Sequence, residues 1–294
     1  MYFATYLANP VFVRIIAFLA LAGTLLPVAC AMLCLKALPS ASLSEKTRRT
    51  VAREAVLGAV SAALFIVVSK LWWIVLGLVF LMRFLPLRKH KFSPGMAVRK
   101  IHIAAAIPLL IYGFGHIANH LAAIDSFAVS DAVMDTLRKV YRIPAVEIFL
   151  ITAVMVQVVT GARLISGSRI LARSTFLHNA QILSGAYLAV FILTHVSNVV
   201  LVDRILNGND TLFSGFTGKG MYGMLSLPNQ PRLIPYYFVS VVALFVHIGA
   251  AGRWLLIPAI GSRRAEQLAT AMMVAGLIAA IGVLLPMTQI HFGS

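Results

Sequence analysis

The 294-residue chain is 60% hydrophobic and 12% charged, with a mean hydropathy of +0.92. This excludes a soluble fold that hides its apolar runs in one core, and it indicates a polytopic α-helical membrane protein. A formal net charge of +16 would suggest nucleic acid in a soluble protein. Here the basic residues cluster in short loops between apolar runs, where they orient the chain and meet anionic membrane lipid, so no nucleic-acid partner is expected.

Residues 1–94 hold two apolar runs, 10–35 and 56–82, joined by a polar stretch from Ser40 to Arg53 whose Ser44 and Thr47 suit the cap of a surface helix. No basic region precedes the first run and no small-residue cleavage site follows a short one, so it is expected to be a retained helix rather than a signal peptide. Its two cysteines, Cys30 and Cys34, lack the paired spacing of a metal or redox motif and read as small core residues. Five further runs follow at 100–123, 144–166, 178–202, 234–258 and 267–290. Each is near the ~20 residues a bilayer requires, giving about seven spans in all. No soluble catalytic domain, phosphate-cradling glycine loop or lipidation box occurs.

Segment 124–143 carries Asp125, Asp131, Asp135, Arg138, Lys139 and Arg142 and has room for a short amphipathic helix. The connection 204–233 is rich in Gly, Asn and Pro, and Asn207-Gly208-Asn209-Asp210 marks a turn in it. Its length suits an ordered surface loop or a lid over a cofactor. Loops 83–100, 163–175 and 253–266 hold twelve basic residues and one acidic, whereas 124–143, 203–233 and the C-terminus hold six basic and five acidic. The first set is therefore expected on the cytoplasmic or matrix side. Loop 36–54, with five basic residues, does not fit that alternation, and Lys70 stands at the centre of the run 56–82.

The region after residue 95 repeats itself. His102, Ala105, Ala106, Leu109, Tyr112, His116 and Asn119 keep the spacing of Gln181, Ser184, Gly185, Leu188, Phe191, His195 and Asn198. Gln157 precedes Arg163 by six residues, as His247 precedes Arg253, and these segments open with Arg142 and Pro144, and with Arg232 and Pro235. This implies duplication of a two-helix unit, at 99–166 and 178–256.

Ionisable residues in a membrane are functional hypotheses by default. His116 and His195 occupy matching positions on spans expected to run in the same direction, so both imidazoles reach one depth toward the outer side. Two imidazoles at one depth in a bundle core are what bis-histidine haem ligation requires. The small residues Gly113, Gly115, Ala118, Ser184 and Gly185 would give a flat ring room, although small residues also serve plain helix packing. Gln157 and His247 lie about thirteen residues into spans of the opposite direction, at an inner level with histidine on one side only. His120 shares the helix face of His116 and reads as an ordinary helix-end polar residue, or else as an alternative ligand, partner of a haem propionate or part of a metal site.

The pattern Gln181-x-x-Ser184-Gly185-x-x-Leu188-x-x-Phe191-x-x-x-His195 resembles the first and fourth helices of the single-chain, five-helix cytochrome b subunit that anchors succinate dehydrogenase and fumarate reductase. His247 with Gly252 and Arg253, and Gln157 with Gly161 and Arg163, resemble that family's His-x-x-x-Gly-x-Arg helix, with the glycine displaced by one in the former. The resemblance covers about 95–294 and leaves 1–94 outside. It implies an all-α polytopic membrane helix bundle with a duplicated four-helix haem-binding core at 95–262 and a C-terminal transmembrane helix at 263–294. It further implies that His116 and His195 ligate the iron of the haem farther from the flavin and iron–sulfur subunits, and that His247 is half of the nearer pair. Gln157 stands where the partner of His247 would be, and an amide is a much poorer iron ligand than imidazole. One haem b per chain is therefore expected, with side chains, lipid or a quinone near His247 and Arg253 in the inner half; two haems would mean that His247 has another partner, such as His102 or His178.

Arg163 and Arg253 are candidates to pair with haem propionates or a quinone headgroup, or to snorkel. Asn119 and Asn198, one turn past each histidine, are candidates for a propionate contact or for a bond to a neighbouring helix. Glu147 and Lys70 are read as proton-handling or quinone-site groups, or as snorkelling and paired charges. Three functions compete. The first is a haem b protein of electron transport, with quinone as redox partner: the membrane cytochrome subunit of a quinone-linked oxidoreductase. It would work with flavoprotein, iron–sulfur or other respiratory-chain subunits in a bacterial or mitochondrial inner membrane. The second is a structural or adaptor membrane protein of the same fold. The third is a transporter using His116, His120, His195 and His247 as a metal or proton path. No catalytic residue is assigned.

Overall fold

The computed structural model describes residues 95–167, 175–210, 212–217, 223–225 and 233–292, together with Thr50, Arg53, Val56, Leu57 and Val60. Cys30, Cys34, Ser44, Thr47, Lys70, the run 10–35 and nearly all of the run 56–82 lie outside the described residues. In chain order the helices are α1 (Met96–Ala122), α2 (Phe127–Tyr141), α3 (Pro144–Gly167), α4 (Phe176–Val196), α5 (Phe213–Thr217), α6 (Leu233–Ile260) and α7 (Ser262–Met287). A π-helical stretch, Ser197–Leu206, continues α4 without a break, and Gly223–Leu225 forms a 3-10 turn. The described residues are thus all-helical, and α1, α3, the continuous Phe176–Leu206 helix, α6 and α7 are the five long and apolar enough to cross a membrane. At 1.5 Å per residue each exceeds the roughly 30 Å of a hydrocarbon core.

Local chemistry sets the helix ends. Ser126 Oγ accepts the backbone N–H of Val129 at 3.3 Å to start α2, and Thr175 Oγ1 accepts that of His178 at 3.3 Å to start α4. Pro144 occupies the first position of α3, where its missing N–H costs nothing. Gly261, at φ 79°, reverses the chain between α6 and α7 in a conformation that favours glycine.

Neighbouring spans are α1 with α3, α3 with α4, α4 with α6, α6 with α7, and α7 with α1. They close into a ring, and α1 faces both α4 and α6 across its interior. The most extensive packing is between α6 and α7, where the Phe245 side chain fills the notch left by Gly276. The ends of α1 and α7 coincide: Phe292 N donates to Ile124 O at 2.8 Å, and His291 Nδ1 lies 2.7 Å from Ala123 O. This end, which also carries α2 and α5, is the one that loop charge assigns to the outside. Outward faces are apolar, with Ile107, Ile111, Ile148, Leu255 and Ile278 all exposed, as contact with lipid requires.

The described parts of the connection after α4, 207–210, 212–217 and 223–225, lie at the outer end. Phe213 and Met224 bury against Ile117, Val283 and Met287. Ser214 Oγ donates to Asp131 of α2 at 2.9 Å. Arg142 grips Asp210 through two bonds of 2.7 and 3.0 Å, and Gly208 takes φ 66° within the expected turn. The hydrogen bond from Arg142 holds the Asp210 carboxyl below its ordinary value. Arg204 and Glu147 form an ion pair between the end of the Phe176–Leu206 helix and the start of α3.

Candidate functional site

His116 projects from α1 and His195 from α4, helices that face each other across the ring. Their ring centroids are 6.0 Å apart, with planes at 58°. A metal–imidazole bond is about 2 Å and the ring nitrogen stands about 1 Å from the ring centre, so two imidazoles on opposite sides of one metal have centroids about 6 Å apart. Each ring can rotate about its metal–nitrogen bond, so the angle between planes is unrestricted. Both imidazoles lean on an aromatic ring one helical turn earlier: Tyr112 stacks on His116 at 5.6 Å and Phe191 on His195 at 5.3 Å. Tyr237 of α6 meets His195 edge-on at 5.9 Å.

His116 Nε2 lies 3.1 Å from His120 Nε2, so one ring donates to the other. A metal at His116 Nε2 would take the place of that bond. Phe213 covers His120 at 4.5 Å. His120 Nδ1 is buried without a hydrogen-bond partner, and so are both side-chain amide atoms of Asn119, a residue with no exposure. Buried polar atoms are rarely left unpaired. Three of them within one turn of His116 fit an occupant with polar groups of its own, such as the propionates of a haem. Gly113 has open space at its missing side chain, and Gly115 meets only Leu137, at 3.9 Å.

The other expected site residues separate. Asn198 is exposed at the start of the π-helical stretch, whereas Asn119 is buried in regular α-helix. Matched sequence spacing therefore does not place the two amides alike. Arg163 is exposed on α3. Arg253 is 2% exposed, with its guanidinium 4.4 Å over the Trp254 ring and 3.6 Å from Glu266; it ties α6 to α7 at the inner end. Glu147 is a paired charge, as one of its two expected roles has it, with Arg204 as its partner.

At the inner level, the imidazole that His247 faces is His102 of α1, with centroids 6.4 Å apart and planes at 76°. The sequence left His102 and His178 open as alternative partners of His247, and His102 is also the counterpart of Gln181 in the repeat. A signal was present: Gln157-x-x-Thr160-Gly161 on α3 has the same form as Gln181-x-x-Ser184-Gly185 on α4, and each of these segments receives one of the two histidines. Gln157 Oε1 is buried without a partner.

No family model matches the chain, and no curated protein or solved structure matches it.

Proposed function

We propose that this is a membrane cytochrome b that holds a b-type haem between His116 and His195, in the manner of the succinate dehydrogenase and fumarate reductase anchor that its sequence resembles. The observation that carries the reading is the 6.0 Å separation of these two rings. They belong to helices that are not neighbours and meet only in the interior of the bundle, at the spacing of two axial ligands. A bound haem supplies one-electron chemistry, and a quinone is its natural partner in a membrane. The chain's own groups hold and orient: Tyr112 and Phe191 fix the imidazole planes, Asn119 and His120 offer polar atoms to the propionates, and Phe213 excludes water from the outer end.

The same reading takes the apolar runs before residue 95 as two further spans and residues 95–262 as a duplicated four-helix core. It places the protein in a bacterial or mitochondrial inner membrane beside flavin and iron–sulfur or other respiratory subunits. The test is a reduced-minus-oxidised absorption spectrum of the purified protein. A low-spin b-type band is expected, with the contribution of this haem lost or converted in His116→Ala and His195→Ala and the whole band kept in His291→Ala, whose ring bonds the end of α1 and packs on Phe127. An unchanged low-spin spectrum in His195→Ala would rule out the assignment.

A further inference from the structure

We infer that the inner level holds a second bis-histidine site, with His102 of α1 and His247 of α6 as the axial ligands of a haem-type iron macrocycle. The inference rests on the reading of the chain as a membrane haem protein, and it replaces the single haem expected from Gln157 with two.

Each imidazole is seated in a cradle of the same composition. Gln157-x-x-Thr160-Gly161 on α3 and Gln181-x-x-Ser184-Gly185 on α4 put a glutamine, a hydroxyl and a glycine on one helix face, by their three- and four-residue spacing. His102 enters the first cradle. Its Nδ1 lies 2.8 Å from Thr160 Oγ1, and a methyl group on Gly161 would stand 3.4 Å from its Cε1. His247 enters the second. Its Nδ1 lies 2.9 Å from Gln181 O and 3.5 Å from Ser184 Oγ, and a methyl group on Gly185 would stand 2.8 Å from its Cε1.

The cradles fix the tautomers. Thr160 has one hydroxyl hydrogen and commits it to Val156 O at 2.6 Å, so Thr160 Oγ1 accepts and His102 Nδ1 carries the proton. The Gln181 carbonyl can only accept, so His247 Nδ1 carries a proton too. Both rings therefore keep an unprotonated Nε2 with no hydrogen-bond partner among the described residues. Metal-bound histidines have this form, with the far N–H held by a carbonyl or another acceptor.

The 6.4 Å between the rings matches the spacing of two ligands on one metal. Among the described residues no three His, Cys, Asp or Glu side chains are grouped to hold a bare ion, and a structural zinc would need four protein ligands. A macrocycle brings its own four in-plane donors and needs only the two axial ones that are present. Gln157 is then part of the seat for His102, and the inner ligand comes from α1 rather than α3. Fourteen residues separate His102 from His116, which sets the two levels about 21 Å apart along the helix.

The test is the haem-to-polypeptide ratio of the full chain purified in detergent. Two haems are expected in the unmodified protein and one in His102→Ala and in His247→Ala. His102→Gly should regain its second haem when imidazole is added to the buffer. A His102→Ala protein that keeps the haem content and spectrum of the unmodified chain overturns the inference. So does loss of both haems in His102→Gly without recovery in imidazole, because free imidazole refills a missing ligand but does not repair a misfolded bundle. The comparison with His116→Ala separates the two readings. One haem lost in His116→Ala but retained in His102→Ala removes the inner site and leaves the outer one, the converse removes the outer site alone, and a chain that binds no haem removes both.

Discussion

Gly185 admits the His247 imidazole where any larger residue would meet it. An added methyl group would stand 2.8 Å from Cε1 and 3.0 Å from Nδ1, and the ring cannot swing away without breaking its 2.9 Å bond to Gln181 O. Overpacking of this kind costs about 1–3 kcal/mol. The gain in helix propensity from glycine to alanine is about 1 kcal/mol, so the steric term prevails. At Gly252 of α6 nothing lies within 4 Å of an added methyl, and only the propensity term acts. Gly185→Ala is therefore expected to lower the thermal midpoint in detergent and Gly252→Ala to raise it. Equal shifts of the same sign would show that position 185 is not a seat for the imidazole.

Among the elements, α2 and the described parts of the connection after α4 form the cover of the outer histidines, and these parts are held at defined points. Arg142 and Asp210 pair at a corner where the aspartate side chain is 54% exposed, so the pair contributes no more than about 1 kcal/mol. Its effect is local. Because the Arg142 hydrogen bond depresses the Asp210 carboxyl, the stabilisation is fully present above the unfolded value of about 3.9 and is lost as pH falls through the lower folded value. Hydrogen exchange in 207–217 is expected to stay slow down to about pH 4 and to quicken below it, after correction for intrinsic rates. In Arg142→Gln it should be faster already at neutral pH. A corrected rate that does not change between pH 5 and pH 2 would mean the pair does not hold the cover.

At the scale of the molecule, five spans in a ring put α2, α5 and the ends of α1 and α7 together, with Gly261 at the other end. The loop-charge asymmetry directs the first set outward. With Cys30 and Cys34 replaced, reporters at Lys139→Cys and Asn209→Cys are expected to react with an impermeant thiol reagent from the outer side, and Ser262→Cys from the inner side. Reaction of all three from one side would refute an alternating path for α3, α4 and α6.

The existence of the five spans after residue 95 was written in the sequence, because a bilayer demands unbroken apolar runs of about twenty residues and permits only helix within them. The amphipathic helix at Phe127–Tyr141 and the turn at Gly208 were equally local, set by Ser126, by the alternation of charged and apolar positions, and by a glycine at positive φ. The proximity of His116 and His195 could be read because the same offset on two parallel helices gives the same depth. Their ring spacing needed the structure. The sequence left the partner of His247 open between His102 and His178. Spacing along the chain fixes depth and helix face, but not which helices oppose one another; in the ring α7 lies between α6 and α1, which leaves α1 opposite α4 and α6 at once. For the same reason Arg253 found Glu266 on α7, a contact between residues that no periodicity in the sequence relates.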